Sequence, residues 1–66
     1  MRMKLKVFRV MRGLSQQEMA ARVGYERAYY GHIERGYMDG SAAFWDKLQK
    51  AFRLTDDDVK GLQEID

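Results

Sequence analysis

The stretch Leu14-Ser15-Gln16-Gln17-Glu18-Met19-Ala20-Ala21-Arg22-Val23-Gly24, followed ten residues after Gly24 by Glu34-Arg35-Gly36, decides the fold of this chain. Ser15 with Glu18 three residues on is a capping box, which starts a helix. Gly24 takes the left-handed conformation that stops it. A second short helix then runs to Gly36. The two helices meet at a tight turn, with the small Ala20 where they touch.

The rest of the chain extends the same pattern. Apolar spacing is helical throughout, no stretch alternates as a strand does, and there is no proline. The spacing predicts five helices. The first covers about Arg2 to Arg12 and ends at Gly13. The second follows Ser15 to Val23, and the third spans Glu26 to Arg35. Tyr37-Met38-Asp39-Gly40 is a turn by composition. Ser41 caps a fourth helix reaching about Phe52. Thr55 and Asp58 form another capping box, with Asp56, Asp57 and Asp58 in the first turn, where the macrodipole favours anions. That acidic triplet reads as a helix start rather than a metal site. Short loops and the absence of any linker or repeat make residues 1–66 one domain.

The predicted core is Leu5 and Phe8; Met19, Ala20 and Val23; Tyr30 and Ile33; Phe44, Leu48, Ala51 and Phe52; then Leu54, Val59 and Leu62. Trp45 adjoins the fourth stripe as an anchor. Met3, Val7, Val10 and Met11 are left over. They widen the apolar arc of the first helix beyond what a surface helix needs. Two readings stand: the C-terminal segment covers them through Ile65, or they form a partner surface.

Composition narrows the function. Sixty-six residues leave little room for a shaped catalytic cleft. Without cysteine there is neither disulfide nor thiolate metal site, and the single histidine, His32, has no second histidine to share a metal. No metal and no cofactor is expected. Ser15, Ser41 and Thr55 are accounted for by capping. With no nucleophile–base set and no glycine-rich phosphate loop, an enzyme is not expected. No uncharged run exceeds six residues and no apolar signal core follows the basic start, so a cytoplasmic protein without a membrane span is expected. Residues 1–35 carry eight basic and three acidic side chains (+5), and residues 36–66 carry four and seven (−3). A basic half suits a face turned toward a polyanion, although chance scatter of surface charge gives the same numbers.

Taken together, Leu5, Phe8 and Arg9, Leu14-Ser15-Gln16-x-Glu18-Met19-Ala20, Gly24, Ile33-Glu34-Arg35-Gly36, and Leu48, Ala51 and Leu54 resemble a helix-turn-helix domain of the phage-repressor/Cro type, the XRE family. The resemblance covers about residues 5–59. It implies an all-α, compact five-helix, lambda-repressor-like fold with its helix-turn-helix unit at about 15–35. It implies a sequence-specific regulator, a repressor binding a palindromic operator on double-stranded DNA as a homodimer. By the same resemblance Arg9 pairs with Glu34. Gln16 and Gln17 open the second helix at the DNA backbone or a base edge. Arg27 grips guanine O6 and N7, Ala28 touches a thymine methyl, and His32 donates to a guanine acceptor. Glu26 accepts from cytosine N4 or only caps its helix. Tyr29 offers a hydroxyl to a phosphate or packs its ring. Arg35 contacts phosphate, with Arg12 and Arg22 as lesser candidates. Gly31, inside the third helix, lets the backbone approach DNA or relieves crowding by Tyr29 and Tyr30. An alternative function is a small protein-interaction module, such as an antitoxin or phage regulatory partner, docking through Met3, Val7, Val10 and Met11.

Overall fold

A computed structural model describes residues 1–66 as five helices and no strand. They are α1 (Met3–Met11), α2 (Gln16–Val23), α3 (Arg27–Arg35), α4 (Ala42–Phe52) and α5 (Asp56–Gln63). Local chemistry sets most of their ends. Ser15 accepts from the Glu18 amide and Glu18 accepts from the Ser15 amide, so both halves of the α2 capping box are made. Thr55 and Asp58 do the same for α5, and the Ser41 hydroxyl accepts from the Phe44 amide at the start of α4. Gly24 (φ 88°) and Gly36 (φ 85°) close α2 and α3 in the left-handed region. The stop of α4 is less expected. Arg53, not a glycine, takes φ 54° and ψ 50° there, a conformation that non-glycine residues adopt rarely.

One core unites the helices. Leu5, Met19, Tyr30, Ile33, Phe44 and Leu48 are fully buried at its centre, and Ala20, Val23, Trp45, Val59 and Leu62 complete it. Phe8, Phe52 and Leu54 pack against it half-buried. Phe8 and Phe52 meet edge to face at 5.1 Å, which joins α1 to α4. Ala51 corrects the predicted core, because it is exposed. The inward stripe of α4 runs through Phe44 and Leu48 and ends at Phe52, with Ala51 on its solvent flank.

Arg2 is the largest departure from the sequence reading. Counted there only as one of the eight basic side chains of residues 1–35, it is 4% exposed. Its guanidinium donates to the carbonyls of Ile33 (2.7 Å), Met38 (2.8 Å) and Gln63 (3.0 Å) and lies 5.5 Å from the Trp45 ring. A buried cation survives when its donors all find acceptors, and here carbonyls supply them. Arg2 thereby ties the start of α1 to the end of α3, the following turn and the end of α5. Trp45 secures the same turn by donating to the Asp39 carbonyl at 2.9 Å.

The C-terminal segment does not cover the surplus face of α1. Met3, Val7, Val10 and Met11 stay exposed, and so does Ile65. No helix is long and apolar enough to cross a membrane.

Candidate nucleic-acid interface

The α2–α3 pair is built around a buried carboxylate. Glu34, 1% exposed, receives four hydrogen bonds. Arg9 donates from Nε to Oε2 (2.8 Å) and from Nη2 to Oε1 (3.1 Å). Tyr30 donates its hydroxyl to Oε2 (2.6 Å), and Gln16 donates Nε2 to Oε1 (3.2 Å). Arg9 also donates Nη1 to the Leu14 carbonyl at 2.7 Å, so one guanidinium spans α1, the loop before α2 and the end of α3. Burial alone would raise the Glu34 pKa. The hydrogen bonds from Arg9, Tyr30 and Gln16 outweigh it and hold the carboxyl below its ordinary range.

With Tyr30, Gly31, Ile33 and Glu34 turned inward, α3 presents Arg27, Ala28, His32 and Arg35 to solvent. These four and Gln16 line an open groove of about 370 Å³. Two guanidinium groups and an imidazole border it, and no carboxylate does. Gly31 lies beneath. A Cβ there would sit 3.3 Å from both terminal nitrogens of Arg35 and 3.5 Å from Gln16 Oε1. Glycine thus lets Arg35 fold back over its own helix toward Gln16.

The other candidate residues fall elsewhere. Gln17 and Glu26 are exposed outside the groove. Glu26 occupies the N-cap position of α3, but its side chain makes no capping hydrogen bond, which removes the capping alternative. Tyr29 is half-buried. Its ring stacks on Tyr25 at 5.0 Å and its hydroxyl accepts from the Ser41 amide at 3.1 Å, so it braces α3 against the start of α4. Gln16 reaches the groove with its amide already given to Glu34.

Half of the basic side chains in residues 1–35 have structural partners. Arg2 is buried, Arg9 belongs to Glu34, Lys4 pairs with Glu64, and Arg12 lies 3.5 Å from the Phe8 ring centre. Arg22 stands 5.9 Å from the Phe52 ring. The charge asymmetry of the sequence therefore overstates the positive surface, and Arg27 and Arg35 supply the cationic character of the groove. Tyr37, not singled out in the sequence, borders it: its ring lies 6.0 Å from His32 and 5.8 Å from the Arg35 guanidinium.

Comparison with known proteins agrees with this geometry. No curated protein and no solved structure matches the chain. A family model described as a helix-turn-helix domain matches residues 1–62, nearly the whole sequence. The chain therefore belongs to the helix-turn-helix domain family, whose members point to DNA binding.

Proposed function

We propose that this protein is a cytoplasmic, sequence-specific DNA-binding regulator of the phage-repressor type, a repressor that occludes a promoter. The observation that carries the reading is the carboxylate-free groove lined by Gln16, Arg27, Ala28, His32 and Arg35 on the exposed face of α3. A cationic convex helix of this kind suits a major groove. Arg27, exposed and without an ion-pair partner, reads guanine through O6 and N7. Ala28 meets a thymine methyl and His32 donates to a guanine acceptor. Arg35 grips a phosphate, and Gln16 meets the DNA backbone with its oxygen. Gln17 and Glu26 flank these contacts, Glu26 accepting from cytosine N4. Tyr29 positions the helix and touches the backbone only through its hydroxyl. Two copies bind a palindrome with half-sites about 34–36 Å apart.

Selection of bound duplexes from a random pool, repeated at two salt concentrations, tests this. The expected result is a palindromic site whose affinity falls steeply with salt. Arg27→Ala should abolish preference at one base pair, a loss of about 1–3 kcal/mol, with unfolding unchanged. Recovery of no sequence overturns the reading. A second reading, a protein-interaction module, is favoured by the exposed stripe of α1. It predicts a tight protein complex and no salt-dependent DNA binding.

A further inference from the structure

We propose that the exposed face of α1 is the contact surface for a second copy of this chain, the two α1 helices lying parallel about a two-fold axis. This names the interface of the dimer proposed above and rests on that reading for its purpose, while its primary test uses no DNA. Every large apolar side chain that stands exposed lies on α1, beside its ends, or in the turn after α3. Met3, Val7, Val10 and Met11, from 44% to 79% exposed, fall on one face at positions i, i+4, i+7 and i+8. Met1 and Ile65, also exposed, lie beside the start of α1, next to the turn that carries the exposed Tyr37. A Cβ on Gly36, the residue before Tyr37, would lie 3.2 Å from the Met1 nitrogen and 3.5 Å from Ile65 Cδ1.

Charge selects the occupant and its orientation. At one residue per 100°, Lys4 and Lys6 lie about 80° to either side of the midline of the stripe. Lys4 is paired with Glu64, and the Asp66 carboxylate accepts from the Met3 amide at 3.1 Å. The Lys4 flank is therefore net negative, while Lys6, on a helix without acids, pairs with no carboxylate. An axis perpendicular to the helices would set each flank against its own copy, Lys6 against Lys6. An axis along the helices sets Lys6 of one copy against the Glu64 flank of the other. The surface is self-complementary only in that second arrangement. Gly36, beside the start of α1, is followed by Tyr37, whose ring lies by His32 and Arg35, so a second copy seated on α1 would place both grooves on the same assembly.

Sedimentation equilibrium of the whole chain, from micromolar to millimolar, is the test. A monomer–dimer equilibrium is expected. Met11→Glu, at the most exposed position of the stripe, should weaken it at least tenfold with an unchanged circular dichroism spectrum. Ala43→Glu, on the exposed side of α4, should leave it unchanged. Lys6→Glu should weaken the dimer, and adding Glu64→Lys should restore it. A chain monomeric throughout, or a dimer indifferent to Met11→Glu, overturns the proposal. A stable dimer disrupted only by Ala43→Glu overturns it as well, since the contact then lies on α4. A monomer that still selects a palindrome overturns the interface and spares the DNA reading. A dimer of the expected behaviour that selects no DNA spares the interface and overturns that reading.

Discussion

Tyr30 donates its hydroxyl to Glu34, one turn later in the same helix, at 2.6 Å. The bond completes the donor set begun by Arg9 and Gln16, and Glu34 is held on both oxygens. The outer face of α3 depends on this buried cluster, because it fixes how α3 rotates against α1 and α2.

Removing the cation leaves the carboxylate buried with no opposite charge. Arg9→Ala should lower stability by about 3–5 kcal/mol in urea titration. A double replacement, Arg9→Met with Glu34→Leu, should recover much of that loss, since no charge then remains inside.

The same cluster sets both ends of the pH–stability profile. The Glu34 carboxyl is held below its ordinary value of 4.5, so on acidification the unfolded chain takes up this proton first. Stability is fully present above about pH 4.5 and is lost as pH falls through the folded value. Burial, and then Glu34, raise the Tyr30 hydroxyl above its ordinary value of 10.0. The folded chain keeps a proton that the unfolded chain releases. That contribution is complete below about pH 10 and declines as pH rises beyond it. Urea midpoints across pH should show a shallower acid limb for Glu34→Gln and a shallower alkaline limb for Tyr30→Phe.

Gly31→Ala separates stability from binding. Alanine gains about 1 kcal/mol of helix propensity. Its methyl displaces only the flexible end of Arg35, 3.3 Å away. The melting temperature should hold or rise. If Arg35 grips a phosphate as proposed, DNA affinity should fall, and the slope of log affinity against log salt should drop by about one.

Arg2→Met should leave the Ile33, Met38 and Gln63 carbonyls without their donor. A loss of roughly 2–4 kcal/mol is expected. The only tryptophan, Trp45, lies against this guanidinium, so its emission should shift to the red before global unfolding.

What the sequence discloses and what it hides divide by range. Helix starts at Ser15, Ser41 and Thr55 depend on groups three residues away, and the stops at Gly24 and Gly36 on one dihedral each. Such local signals can be read from spacing. The five-helix all-α fold and most core positions follow from them. The seat of Arg2 cannot be read this way, because its acceptors lie 31, 36 and 61 residues distant. Arg12 near Phe52, forty residues on, looks like a free charge until the fold exists. Ala51 shows the limit of periodicity, since a small residue at the rim of a stripe fits either side. At the groove, the grouping of Arg27, Ala28, His32 and Arg35 follows from helical spacing. The room that Gly31 makes for Arg35 was marked in the sequence only by a glycine in mid-helix, four positions before an arginine.

The reach of Arg2 to Gln63 has a consequence for synthesis. A ribosome delivers the arginine first and its last carbonyl acceptor sixty-one residues later. Until α5 emerges, the nascent chain holds a cation whose pocket lacks one wall. Chains stalled before α5 should therefore be open to proteases, and a chain ending before Thr55 should be cleaved faster than the whole chain in limited proteolysis.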